Sequence, residues 1–146
     1  MLSLMLRFFL FSLLVFWQCT PNKQTETYRF DQIIVTKFPT NPPPAFPQSF
    51  FPEKSTFLQS SEFKTSHIHT KEAFLLLETP ESWEEIQKHI DYRVNQGDWK
   101  LIEKNVNETE VSYLLEGFIK KSLSIYLTKN ETNNQIRFYF KKHSTY

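Results

Sequence analysis

Glycine is nearly absent from this chain: Gly97 and Gly117 are the only two among 146 residues, and each stands alone. A phosphate-cradling loop or a dinucleotide fingerprint needs several glycines in one strand-to-helix turn, because only a residue without Cβ lets the backbone close on a phosphate. Nucleotide chemistry of those kinds is therefore excluded. The serines beside histidine in "TSHIHT" (65–70) likewise lack the Gly-rich elbow that would expose a nucleophile. Cysteine is scarcer still, with Cys19 alone, so no disulfide can form within the chain and no second thiol can mispair in an oxidising compartment. An excess of one charge is also missing. Seventeen Lys and Arg stand against sixteen Asp and Glu, so any attraction to nucleic acid or to a membrane must come from a local patch.

Long apolar runs are lacking as well. The longest, "FFLFSLLVFW" from Phe8 to Trp17, covers ten residues with one serine inside. A spanning helix needs about 20 apolar residues to cross about 30 Å of hydrocarbon. Counting back to Leu2 lengthens the run but takes in Arg7. What remains is a basic residue, a short apolar block and an abrupt change to the polar "QCTPNKQTET", the layout of a secretory signal, with an uncleaved transmembrane anchor as the weaker reading. With translation starting at Met5, the charge falls two residues from the start.

Cys19 follows this block directly. The segment resembles a bacterial lipoprotein signal peptide, with Phe16, Trp17 and Gln18 before the cysteine in the manner of the loose lipoboxes of spirochaetal lipoproteins. The resemblance covers the first twenty residues. It implies that residues 1–18 are removed and that Cys19 is diacylated on sulfur, becomes residue one and is acylated on its amine, typically with palmitate among the chains. One acyl chain holds weakly, at about 0.8 kcal/mol per buried methylene, but two or three make release slow. Thr20 stands where an Asp would retain an enterobacterial lipoprotein at the inner membrane, and under that enterobacterial rule it permits transfer to the outer membrane, the favoured of the two. The alternative is that Cys19 is an incidental residue of a signal cut further on, or a buried thiol.

Removal of residues 1–18 takes away only Arg7 among the charges, leaving sixteen of each sign. Residues 19–27 read as a polar tether reaching about 30 Å when extended. Residues 28–52 read as an extended segment and a proline-rich lead-in. Ile33, Ile34 and Val35 argue for a strand, and six of the eight prolines fall in 39–52, where they forbid helix and remove sheet donors. "PPPAFP" has two readings, a recognition motif or a stiff connection whose Phe46, Phe50 and Phe51 pack on the domain, and the second is favoured.

Residues 53–146 then read as one α+β domain. "STFLQSSEF" and "AFLLLET" predict two strands, the second apolar throughout and suited to a central place. Thr79 before Pro80, or Ser82 with Glu85 as a capping box, opens a helix that Gly97 closes, and Trp83, Ile86, Ile90 and Val94 form its apolar stripe. Strands follow at Trp99 to Val106, Val111 to Ile119, Leu123 to Thr128 and Gln135 to Lys141. Alternation in the last two predicts a register in which partners sum to about 263, such as Ile125 with Phe138. A break of phase near Gly117 suggests a bulge bringing Leu115 and Phe118 to the same core. The last strand is expected at an edge, guarded by lysines. The predicted order is β-β-α-β-β-β-β, with one amphipathic helix packed across an antiparallel sheet. Residues 53–142 are similar to small exported α+β domains, many of them uncharacterised bacterial lipoproteins, a resemblance that implies a domain type and no catalytic residues.

Little here points to chemistry. His67 and His69, two apart in an extended segment, could share a metal ion, but a catalytic zinc normally takes three protein ligands. Glu84 and Glu85 diverge on the wet side of the helix. Lys120, Lys121, Tyr126, Arg137, Tyr139 and Lys141 could form a basic aromatic surface for lipid headgroups, acidic glycan or an acidic protein, although the ordinary wet side of a sheet accounts for the same residues. The sequence thus suggests a lipid-anchored envelope protein of the outer membrane, with a binding or structural role, no cofactor, no metal and no catalysis. Its partners would be the membrane, through the lipid on Cys19, and an envelope protein or glycan, but no nucleic acid. The alternative is an exported metal-binding protein or enzyme using His67 and His69.

Overall fold

A computed structural model describes residues 23–64 and 71–143. Eight antiparallel strands form one sheet: β1 (Glu26–Arg29), β2 (Ile33–Lys37), β3 (Thr56–Lys64), β4 (Lys71–Thr79), β5 (Trp99–Val106), β6 (Glu110–Gly117), β7 (Lys121–Thr128) and β8 (Asn134–Lys142). The helix α1 (Trp83–Val94) lies between β4 and β5 in the chain. Side by side the strands run β1-β2-β3-β4-β8-β7-β6-β5. The antiparallel sheet with a single helix is as the sequence suggests. The strand that Ile33, Ile34 and Val35 argue for is β2, which joins the sheet beside β3, and β1 is added before it, because Glu26 and Thr27, read as tether, pair with Lys37 and Thr36.

One face of the sheet is covered. Ala73, Leu75 and Leu77 of β4, Ile136, Phe138 and Phe140 of β8, Leu123, Ile125 and Leu127 of β7, and Val111, Tyr113 and Leu115 of β6 are all buried there. Alternation puts them on one side, since successive residues of a strand point to opposite faces. Trp83, Ile86, Ile90 and Val94 of α1 join the same core, as their 3, 4, 4 spacing requires. The proline-rich lead-in completes the cover: Phe46 meets Phe138 and Phe140 edge-on, at 6.3 and 6.0 Å between ring centres, and Phe51 meets Phe138 at 5.2 Å. The packing reading of "PPPAFP" is therefore the one observed.

Local chemistry sets the helix ends. The Glu85 amide donates to Ser82 Oγ at 3.3 Å, while the Ser82 amide donates to Glu85 Oε2 at 3.0 Å, a reciprocal capping box. Past the helix Gly97 takes φ +88°, a conformation costly for a side chain bearing Cβ.

Three expectations need correction. β8 is not an edge strand but the central seam, paired with β4 and with β7. The edges are β1 and β5, and it is β5 that carries a bulge between Leu101 and Glu103 together with Lys100 and Lys104. No bulge occurs at Gly117. It pairs in register with Lys121, and its missing Cβ makes room for Trp99, whose ring would lie 2.9 Å from such an atom. Phe118 consequently leaves the strand and is 75% exposed.

Candidate binding surface

The uncovered face carries much of the basic aromatic set. Tyr126 lies opposite Arg137, and Ser124 opposite Tyr139, across β7 and β8. Glu72 lies opposite Lys141 across β4 and β8. These side chains are engaged with one another. Tyr139 Oη donates to Glu72 Oε2 at 2.6 Å, and Lys141 Nζ stands 2.9 Å from the other oxygen. Those two hydrogen bonds, Tyr139 first, hold the Glu72 carboxyl below its ordinary range. Burial, reinforced by Glu72, pushes the Tyr139 phenol up to about 12. Arg137 donates to Thr128 Oγ1 at 3.1 Å, sits 5.8 Å from the centre of the Tyr126 ring and lies 3.9 Å from Glu110. Charge on this face is thus balanced locally.

The same face is partly apolar toward β2. Ile33, Val35, Phe63, Phe74 and Leu76 are half-buried there. Cross-strand pairing explains the grouping, since Ile33 faces Phe63 and both Val35 and Phe74 face Ser61.

Lys120 and Lys121 stand apart from that network. Lys120 lies in the β6–β7 connection and Lys121 opens β7, at the end of the sheet, and neither makes an ion pair among the described residues. Lys142 pairs with Lys121 in the ladder, and the His143 amide donates to the Lys120 carbonyl at 3.1 Å, fixing the turn against the end of β8. The six predicted residues therefore divide between a neutralised face and an unpaired basic turn. Sequence reading missed Phe118 and Ile119 as parts of that turn, exposed at 75% and 61%. The signal was available: Val111, Tyr113 and Leu115 continue in phase to Gly117, not to Phe118.

Elsewhere, a groove of about 770 Å³ runs between α1 and the lead-in, past Ser49, Glu85, His89 and Tyr92. Two of its titratable groups already serve the fold. His89 Nε2 lies 3.1 Å from the Ser49 carbonyl, and Glu85, held low by the Ser82 hydrogen bonds, caps the helix. On the other side of α1, Asp91 accepts from Lys104 at 2.8 Å, and Lys104 lies 5.0 Å from the centre of the Tyr113 ring. Burial, then the Asp91 carboxylate, pushes the Tyr113 phenol up.

Cys19, His67 and His69 lie outside the described residues. Among those that are described, no group of three His, Cys, Asp or Glu could hold a metal ion, and no helix is long and apolar enough to cross a membrane. No protein-family model, no curated protein and no solved structure matches the chain.

Proposed function

We propose that this chain is an exported lipoprotein of the cell envelope, held in the outer membrane by lipid on Cys19, whose α+β domain works by binding or as a structural component without catalysis. The observation that carries the reading is the leader itself: Arg7, a ten-residue apolar block and the only cysteine directly behind it. A thiol in that place is a lipid attachment point. The folded part begins close behind, with β1 starting at Glu26, so only a short polar connection separates bilayer and domain.

Metabolic labelling with a fatty acid analogue tests this in cells carrying the native protein or Cys19→Ala. Label on the native chain and none on the variant is the expected result, with an intact mass for the mature native protein that starts at Cys19 and includes the acyl chains. Label persisting in Cys19→Ala, or an unmodified chain that still carries residues 1–18, overturns the reading.

A further inference from the structure

The β6–β7 connection is built against backbone preference. Gly117 pairs with Lys121, leaving three residues to turn the chain, and two of them, Ile119 (φ +63°) and Lys120 (φ +48°), occupy the left-handed region. Glycine and asparagine go there at least cost, and a β-branched residue is a genuine outlier. Strain of this kind persists when something else selects the side chains. The fold does not select these, since Phe118 is 75% and Ile119 61% exposed.

Around the apolar pair stand cations. Lys120 belongs to the turn, Lys121 opens β7 and Lys142 lies beside Lys121 in the ladder, none of them in an ion pair among the described residues. The apolar surface also continues inward, because a cleft of about 350 Å³ beside the tip is lined by Phe46, Trp99, Phe118 and Phe140, with Lys121 and Asp98 both among its walls.

We propose that this tip docks on an anionic lipid bilayer, Phe118 and Ile119 entering between headgroups and acyl chains while Lys120, Lys121 and Lys142 meet the phosphates. Charge and exposure favour a bilayer over a protein partner. Lys120 is exposed beside Phe118 and Ile119, and the exposed apolar area of those two side chains, at most about 400 Å², needs no surface of matching shape. A bilayer asks for no matching shape, and each lysine near an anionic surface adds to the attraction.

The proposal rests on the lipoprotein reading, and the geometry allows both attachments in one membrane. Through the ladder, Glu26 is level with Tyr126, five residues from Lys121. That is about 17 Å along the strands. β1 runs from Glu26 toward the tip, so the chain enters it from the far end and must double back; the seven residues from Cys19 to Glu26, about 24 Å when extended, cover the distance with little to spare. Reaching the bilayer requires Thr25 to leave the Phe38 carbonyl, an exposed hydrogen bond of 2.7 Å.

The test uses the full-length protein as the cell processes it, with Phe118→Cys carrying an environment-sensitive fluorophore, in vesicles of phosphatidylcholine alone or mixed with phosphatidylglycerol, some lipids bearing nitroxide on their tails. Emission that shifts to the blue and is quenched in the phosphatidylglycerol vesicles is expected, and Lys120→Ala with Lys121→Ala should weaken tip insertion about 30-fold. Water-like emission in both kinds of vesicle overturns the proposal. So does a shift that follows protein concentration or added envelope extract whatever the lipid charge, which marks a protein interface. A second variant, Ile119→Asn with Lys120→Gly, relieves the backbone, so its unfolding midpoint should rise by several degrees while insertion falls. A midpoint that falls instead shows that the residues serve the fold. Intact mass reports acylation of Cys19 separately. A chain without lipid sinks the anchor reading, and with Cys19→Ala added, so that position 118 holds the only thiol, vesicles mixed with that chain still report on the tip.

Discussion

Glu72 shows how the open face uses its charges. Both carboxylate oxygens are engaged, one by the Tyr139 hydroxyl at 2.6 Å and one by Lys141 at 2.9 Å, so the ionised form is favoured and its pKa falls below the ordinary 4.5. Tyr139 moves the other way, from 10.0 to about 12, through burial first and the Glu72 carboxylate second. The two shifts act at opposite ends of the pH scale. In acid the unfolded chain takes up the Glu72 proton first, so this contribution to stability is present above about pH 4.5 and is lost as pH falls through the depressed value. In base the unfolded chain releases the Tyr139 proton first, so that contribution is complete below pH 10.0 and is lost as pH rises toward about 12. Tyr139→Phe should remove the alkaline loss attached to this residue and shrink the acid one, with the Glu72 carboxyl titrating nearer its ordinary range. Urea unfolding across pH, together with an NMR titration of Glu72, measures both. An unchanged acid limb and an unchanged Glu72 titration would refute the link.

At the scale of elements, what could be read from sequence was what neighbours in the chain decide. The helix is the clearest case, since stripe, capping box and terminal glycine all lie within sixteen residues and all are observed. Ser82→Ala should therefore cost about 1 kcal/mol. Because Glu85 loses the Ser82 hydroxyl at the same time and keeps only the residue-82 amide, Ser82→Ala and Glu85→Ala should be less than additive in a double-mutant cycle followed by chemical denaturation. Additive losses would show that the two halves of the box act separately. The β7–β8 register was legible for the same reason: a short polar link and two alternating strands leave one solution, and Ile125 does face Phe138. Where distant segments decide, the reading failed. Nothing near Gln135–Lys141 announces that Leu75, far back in the chain, pairs with Phe138, so β8 looked like an edge. Glu26 and Thr27 are polar because β1 is an exposed edge, which made a strand resemble a tether. Phe118 was assigned to the core by its hydrophobicity alone, yet a buried side chain needs a backbone that points it inward, and the turn gives it none. The same holds for the candidate surface. Tyr126, Arg137, Tyr139 and Lys141 share the open face, whereas Lys121 is in phase with the buried Leu123 and lines the cleft beside Phe46, and only the fold separates the neutralised Glu72–Lys141 region from the end of the sheet at Lys120 and Lys121.

For the whole molecule the decisive feature is that the last strand joins two halves. β1 to β4 form one meander and β5 to β7 another, and β8 pairs with β4 on one side and β7 on the other. The β7–β8 pairing is local, but joining that hairpin to β4 sets Leu75 against Phe138, far apart in the chain, the kind of pairing that loop-closure entropy makes slow. The same arrangement grades stability across the sheet. Ile136, Phe138 and Phe140 are buried on the covered face, their hydrogen bonds are shielded by strands on both sides, and opening β8 separates the halves. β1 has four exposed residues and a single neighbour. Amide hydrogen exchange should then find β8 exchanging only through global unfolding, with β1 opening locally at least about a thousandfold more often. β5, also an edge but tied to α1 through Lys104 and Asp91, should fall between them. Equal protection in β1 and β8 would mean that the sheet opens as one unit from its edges, and that the seam has no privileged place in holding the two meanders together.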